Sequence, residues 1–170
     1  MPKGLSQTSS VVAIAFELDE SAANTFTQTS IDLNLSPLDR EVFVVLAINL
    51  DVCNPDAVAG SNSKTHSQVT STSQTATVGL GDSNCLATAT NAIRAAGFLD
   101  GGVPFMTMGM ETPPATLDYI GIIATNDFFV GVQGSGNGAA KCVEGKMYGY
   151  RAKADAAIYA ALVQSEVLSA

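Results

Sequence analysis

Short segments in which apolar and polar residues alternate recur along this chain, and turn-forming residues separate them. Alternation with a period of two is typical of strands that have one buried face. Gly, Pro, Asn, Asp or Ser stands between eight such segments, which cover residues 10–17, 25–34, 40–53, 67–78, 103–110, 117–124, 127–133 and 141–151. Eight strands in two sheets are the content of a jelly roll. The pattern therefore predicts an all-β fold, an eight-stranded jelly-roll-like β-sandwich.

The third of these segments differs from the others because its apolar residues do not alternate. Residues 42–50 are apolar and rich in β-branched side chains, with Asn49 as the polar exception. A strand that is covered on both faces has this composition. We therefore expect residues 42–50 to form the central strand of the fold.

Two segments have helical spacing instead. Asp82, Ser83 and Asn84 offer an N-cap, Gly97 offers a C-cap, and the apolar spacing between them predicts a helix inserted between the fourth and fifth strands. A second helix is predicted to start at Asp155, and its apolar stripe consists of Tyr159, Leu162, Val163 and Val167. We expect that stripe to pack on the sheet of its own domain, with a neighbouring subunit as the alternative.

At 170 residues the chain is expected to form a single domain, with residues 1–9 as a flexible N-terminal segment. The N-terminal apolar run is short and is followed by acidic residues, which does not fit a signal peptide. No apolar run is long enough to span a bilayer as a helix. The chain is therefore expected to be made in the cytosol.

Two local features invite specific expectations. The glycine-rich stretch 134–138 predicts a flexible hairpin tip between the last two strands. Met106, Met108 and Met110 fall on one face of the fifth strand, where they either pack in the core or form an adaptable interface.

The charge of the chain bears on its partners. Charged residues make up 14% of the sequence, below the roughly 25% of ordinary soluble domains, and the net charge is −8. A weakly charged surface favours symmetric self-association, because contacts between copies cover apolar patches. Only eight Lys and Arg are present and none form a polybasic arm, so direct binding of nucleic acid is not expected.

Few residues offer chemistry. His66 is the one histidine and is expected in a polar loop. Cys53, Cys85 and Cys142 lack metal-site spacing and are expected to be reduced. No catalytic motif or cofactor fingerprint is present. The sequence thus predicts neither an enzyme nor a bound cofactor. Surface carboxylates near strand ends are weak Ca²⁺ candidates, since Ca²⁺ prefers oxygen ligands. These residues are Glu17, Asp19, Glu20, Asp51 and Asp56.

Taken together, the eight alternating segments, the helix placed between the fourth and fifth of them, and the closing segment 149–155 resemble the single jelly-roll coat proteins of icosahedral viruses. The resemblance covers the whole chain and includes no diagnostic motif. It departs from that family in lacking the basic arm with which coat proteins often contact a genome.

The resemblance implies a structural, self-assembling capsid subunit that is located in the virion and contacts copies of itself and other virion proteins. The alternative is a carbohydrate- or ligand-binding β-sandwich module. With no Trp in the chain, the aromatic platform of such a site would have to come from a tyrosine. The tyrosines are Tyr119, Tyr148, Tyr150 and Tyr159.

Overall fold

A computed structural model describes residues 2–97, 99, 102–109 and 117–169 of the chain. In these residues the chain forms ten strands and one helix. The strands are β1 (Leu5–Gln7), β2 (Val12–Asp19), β3 (Thr27–Asp32), β4 (Glu41–Val52), β5 (Ser63–Thr70), β6 (Cys85–Arg94), β7 (Val103–Gly109), β8 (Gly121–Ile123), β9 (Asp127–Ser135) and β10 (Cys142–Ala154), and the helix is α1 (Ala156–Leu168).

The strands form two antiparallel sheets that pack face to face. Sheet A has the order β1-β10-β4-β8, and β2 pairs with the same edge of β10 as β1 does. Sheet B has the order β3-β9-β5-β6-β7. Sequence neighbours such as β2 and β3 or β4 and β5 lie in opposite sheets, which is the crossing connectivity of a jelly roll. The predicted all-β, jelly-roll-like sandwich is confirmed.

The core between the sheets is formed by the inward side chains of both. Phe43, Val45 and Ile48 of sheet A face Val130 and Val132 of sheet B, and all five are buried. The ring of Phe16 meets the ring of Phe128 edge-on at 5.9 Å between centroids, a favoured aromatic arrangement.

Strand β4 is central, as its composition predicts, and only its first half is covered on both faces. Val42 and Val44 point away from the inter-sheet core into a second cluster beneath α1. A bulge in the β4–β10 pairing leaves Leu46 without a direct partner, and after it Ile48 and Leu50 face the core while Asn49 and Asp51 are exposed. The bulge shifts the alternation by one residue, which explains how one strand carries both a two-sided and a one-sided pattern.

Helix α1 begins as predicted after Asp155, whose carboxylate accepts a hydrogen bond from Ile158 N at 2.9 Å. Tyr159, Leu162 and Val163 pack against the outer face of sheet A, whereas Val167 is exposed. The helix thus covers its own sheet, and the last residue of the predicted stripe does not take part.

The inserted helix predicted over residues 82–97 is wrong, because Cys85–Arg94 form strand β6 between β5 and β7. In this strand Ala87 and Ala89 are buried in the core, and Thr88 and Thr90 alternate with them on the other face. Alternation of small apolar residues with β-branched threonines is compatible with a strand. In this segment it outweighs the N-cap and C-cap signals of the predicted helix.

Other boundaries also differ from the sequence prediction. Strand β5 begins at Ser63 and ends at Thr70, so the polar residues after it form a loop and not the second half of a strand. Within residues 1–9, predicted to be flexible, strand β1 pairs with β10 and Leu5 is buried. Cys53 and Cys142 were expected to be reduced, but they form a disulfide with a Cα–Cα distance of 5.2 Å.

Candidate functional site

The free edge of sheet B carries the most prominent exposed apolar side chains of the described strands. Phe105 and Met106 of β7 are 52% and 71% exposed, and Val103 is also exposed. β7 pairs with β6 on one side, and no strand of the described residues pairs with its other side. Isolated exposed apolar residues are common on proteins, but several together on an open edge mark an interaction surface. We call Val103, Phe105 and Met106 the β7 edge.

The side chains of the β7 edge project from both faces of sheet B. Met106 lies opposite Asn91, two residues from the buried Ala89, so it is on the face that packs against sheet A elsewhere. At 71% exposure, however, the Met106 side chain is not packed between the sheets. Core packing, the first interpretation of the methionine row, is therefore wrong for Met106. The Met108 side chain and Met110 lie outside the described residues.

A cleft of about 540 Å³ opens here, and Met106 and Phe105 are among its lining residues. Its walls include Asn54, Pro55, Ile93 and Pro104. Asn91 fixes one wall, because its side-chain Nδ2 donates to the carbonyl of Val52 at 2.9 Å. The cleft thus combines apolar walls with polar groups that are already engaged within the protein.

The weak Ca²⁺ candidates fall into separate places. Glu17 and Asp51 both lie opposite Glu144, on β2 and β4 respectively, so the three carboxylates form a row across the exposed face of sheet A. Asp19 lies opposite Cys142 at the end of β2. Among the described residues, no group of three or more His, Cys, Asp or Glu side chains is placed to hold a metal ion.

Glu20 and Asp56 serve instead in a hydrogen-bond network around Lys141. The buried Glu20 carboxylate accepts hydrogen bonds from Gly134 N at 2.6 Å and Lys141 N at 2.8 Å. Asp56 accepts from Lys141 Nζ at 2.6 Å and from Gly138 N at 2.9 Å. The hydrogen bond from Lys141, together with those from the backbone, lowers the pKa of Asp56. Both carboxylates are thus satisfied within the chain.

The same network holds the stretch 134–138, which the sequence predicts to be a flexible tip. Asn137 is buried; its side chain donates to Lys64 O and accepts from Asp56 N, and its backbone exchanges two hydrogen bonds with the side chain of Asn24. Gly136 has φ of 69° and lies where a Cβ would meet the carbonyl oxygen of Asn62. The stretch is therefore a tightly packed turn and not an open tip. Its glycines allow the neighbouring backbone and side chains to approach closely.

His66 lies in β5 and not in a polar loop. Its Nε2 donates to the carbonyl of Val78 at 3.0 Å, since a carbonyl can only accept, and its Nδ1 is 2.7 Å from the hydroxyl of Thr90. The nearby Gln68 side chain bonds Val78 N and Ala76 O, so the loop after β5 is held against the outer face of sheet B. Burial of the imidazole lowers the pKa of His66.

A buried carboxylate anchors the C-terminal end of α1. Glu166 accepts hydrogen bonds from the backbone N–H groups of Ala124 and Thr125 at 2.9 and 3.0 Å. Burial raises the pKa of Glu166 despite these donors. Next to this anchor, Val167 and Leu168 are 61% and 76% exposed.

The tyrosines are not free to form an aromatic platform. Tyr150, Tyr119 and Tyr159 pack in the cluster between sheet A and α1, which leaves Tyr148, half-buried on β10. A shallow groove of about 540 Å³ on the exposed face of sheet A is lined by Glu17, Asn49, Asp51, Glu144 and Lys146, among others.

Comparison with known proteins gives little beyond the fold. No protein-family model matches the chain, and no curated protein matches it. A solved structure titled Desmodium yellow mottle tymovirus is similar with a TM-score of 0.31 and 13% sequence identity, over 88% of this chain and 92% of that chain. A likeness of this degree carries no argument about function. Among the described residues, no helix is long and apolar enough to cross a membrane.

Proposed function

We propose that this protein is a structural subunit that assembles with copies of itself, and that the assembly is a viral capsid. The observation that carries the proposal is the β7 edge, an uncharged strand at the margin of a sandwich whose apolar side chains are exposed on both faces. Natural proteins protect an edge strand with charges, proline, shortness or a covering segment. β7 has no charge and one proline, Pro104, and its exposed apolar side chains are suited to contact with another copy.

The disulfide fits the same proposal. Disulfides persist in oxidising surroundings, among them the surfaces of virions and cells, and are rare in proteins that stay in a reducing cytosol. A subunit that is made in the host cytoplasm and then resides in a virion would form the Cys53–Cys142 bond as it leaves the reducing environment. Direct binding of nucleic acid is not part of the proposal, because the net charge is −8.

Light scattering and negative-stain microscopy of the purified protein test the proposal. We expect particles or closed oligomers at micromolar concentration and moderate salt. A monodisperse monomer under these conditions, also in the presence of divalent ions, would contradict self-assembly.

The second candidate is the carbohydrate- or ligand-binding module, which the groove on the exposed face of sheet A favours. Its carboxylates, amide and amine could orient a polar ligand. Glycan-array screening would support this candidate if one glycan bound and the Asn49→Ala and Lys146→Ala variants lost that binding while keeping the oligomeric state of the original protein. The absence of binding across the array would remove it.

A further inference from the structure

A cavity of about 560 Å³ lies between the C-terminal end of α1, strand β8 and the start of β6. This volume is typical of small-molecule sites, which have apolar walls and a few polar groups at defined positions. The described residues around the cavity include aliphatic side chains and one carboxylate, that of Glu166. The aliphatic side chains are those of Leu86, Ile120, Ile122, Leu162 and Leu168.

The carboxylate of Glu166 is buried in this cavity without a cation. The residue is 7% exposed, and none of the described lining residues is a lysine or an arginine. Two backbone N–H groups, of Ala124 and Thr125, donate to its oxygens, and the Thr125 hydroxyl contributes a further hydrogen bond. A carboxylate has about four acceptor positions, so one remains for another donor. Burial of a carboxylate is costly unless a positive charge compensates it.

The charges that act on the cavity are negative. Burial raises the pKa of Glu166, and the negative charge of Asp127 adds to this effect. Burial likewise raises the pKa of the Cys85 thiol, which lines the cavity, to about 11, and Asp82 adds to it. Both groups thus lie in a negative electrostatic potential, which attracts a cation and repels an anion.

The aliphatic walls and the carboxylate together select a class of ligand. A metal ion does not fit, because it needs several ligand atoms, and no group of three or more His, Cys, Asp or Glu is placed to hold one in the part of the chain that the structure describes. A hydrocarbon would leave the carboxylate uncompensated, and an acid would add a like charge. An ammonium group provides a positive charge and hydrogen-bond donors, and an attached alkyl chain suits the leucine and isoleucine walls.

We propose that this cavity binds a small aliphatic amine, whose ammonium group donates to the carboxylate of Glu166 and whose alkyl chain lies against Ile122 and Leu162. Ser165 and Ser169 are exposed at the margin of the cavity, which leaves a route by which the ligand enters. The site lies within one chain, so the proposal does not depend on self-assembly.

Isothermal titration calorimetry with three ligands of equal chain length tests the proposal. n-Hexylammonium carries a positive charge, 1-hexanol is neutral, and hexanoate carries a negative charge. At pH 7 alkylamines are protonated, and n-hexylammonium is expected to bind saturably at concentrations up to about 10 mM. Hexanol is expected to bind roughly tenfold more weakly, because it lacks the charge-assisted hydrogen bond. Hexanoate is expected not to bind.

Variants of α1 locate the binding. Glu166→Gln removes the negative charge and is expected to raise the Kd of n-hexylammonium roughly tenfold. Glutamine has one acceptor oxygen for two backbone N–H groups, so this variant loses some stability, and a second pair of variants leaves Glu166 in place. Ser165→Lys adds a cation at the margin of the cavity and is expected to raise Kd about tenfold by competing with the ligand. Gln164→Lys is the matched control, because Gln164 is exposed on α1 and does not line the cavity; it should leave Kd unchanged.

The outcomes decide the proposal without reference to assembly. It is wrong if n-hexylammonium gives no saturable binding, or if hexanol binds as tightly. It is also wrong if folded Ser165→Lys and Gln164→Lys weaken binding equally, because the effect would then come from the charge of the helix surface and not from the cavity. Circular dichroism establishes that the variants are folded. Failure of amine binding leaves the proposed self-assembly as it stands, and a monomeric protein that binds the amine leaves this proposal as it stands.

Discussion

Several side chains of this protein form hydrogen bonds with residues that are distant in the chain. Glu20 bonds Gly134 N across 114 residues, and Asn137 bonds Lys64 O across 73. Nothing near Glu20 or Asn137 in the sequence indicates these partners, so the sequence suggests surface acid in one case and a flexible tip in the other. Both interpretations fail because long-range hydrogen bonds leave no periodic signal.

Replacement of Asn137 by Ala is expected to lower the free energy of unfolding by about 1 to 3 kcal/mol. Two partly buried side-chain hydrogen bonds are lost, those with Lys64 O and Asp56 N. Urea denaturation measures the change. Asn49→Ala, on the exposed face of β4, is the control and should change the free energy little. Equal stabilities of the two variants would show that the turn is not held by Asn137.

His66 is expected to make the protein less stable as the pH falls below about 6.5. Burial lowers the pKa of His66 in the folded state, so the unfolded chain, with an ordinary pKa of 6.5, binds the proton more readily. Protonation then favours unfolding, and the loss grows until the pH reaches the folded-state pKa. Thermal melting between pH 7 and pH 5 measures it. His66→Gln should show a smaller decrease over this range, and an identical decrease would assign the effect to carboxylates.

At the scale of elements, the sequence predicts best those segments whose pattern is set by local burial. β4 and α1 were predicted with the right character, because a two-sided strand and a capped helix follow from side chains close in sequence. The segment of β6 was instead predicted as a helix, because the spacing of Leu86, Ala89 and Ile93 fits a helix and, in part, also a strand. Its position between β5 and β7 decides the matter, and pairing partners are invisible in a single sequence.

The two halves of β4 should respond differently to an introduced charge. Val44→Asp is expected to prevent folding, because a carboxylate between sheet A and α1 has no partner and its burial costs several kcal/mol. Asn49→Asp adds the same group to the exposed half and should fold. Soluble expression and circular dichroism distinguish the two variants. Cooperative unfolding of Val44→Asp would show that α1 does not cover this part of the sheet.

The disulfide joins the end of β4 to the start of β10. It connects residues 89 apart, and a loop of this length corresponds to about 4 to 5 kcal/mol of stabilisation through the unfolded state. A reducing agent should therefore lower the melting temperature of the original protein. The double variant Cys53→Ser/Cys142→Ser should melt at the lower temperature with or without reductant. An unchanged melting temperature on reduction would mean that the bond contributes no stability.

At the scale of the whole molecule, self-assembly should depend on salt. Each copy carries a net charge of −8, and salt screens repulsion between copies, with a Debye length of about 10 Å at 0.1 M. Raising the salt concentration from low values to about 0.5 M is expected to increase the assembled fraction measured by light scattering. A decrease instead would indicate that ion pairs between copies, and not uncharged edges, hold the assembly.

The disulfide also determines what a single peptide-bond cut does to the molecule. Residues 53 to 142 form a covalently closed ring that contains strands β5 to β9, while β1 to β4 and the segment from β10 to α1 lie outside it as two tails. A protease that cleaves once in the loop after β5 opens the ring but separates nothing. The nicked chain keeps its mass on a non-reducing gel and divides in two only when reductant is added. A chain linked in this way tolerates a nick in the loops between β5 and β9 without losing any part of itself.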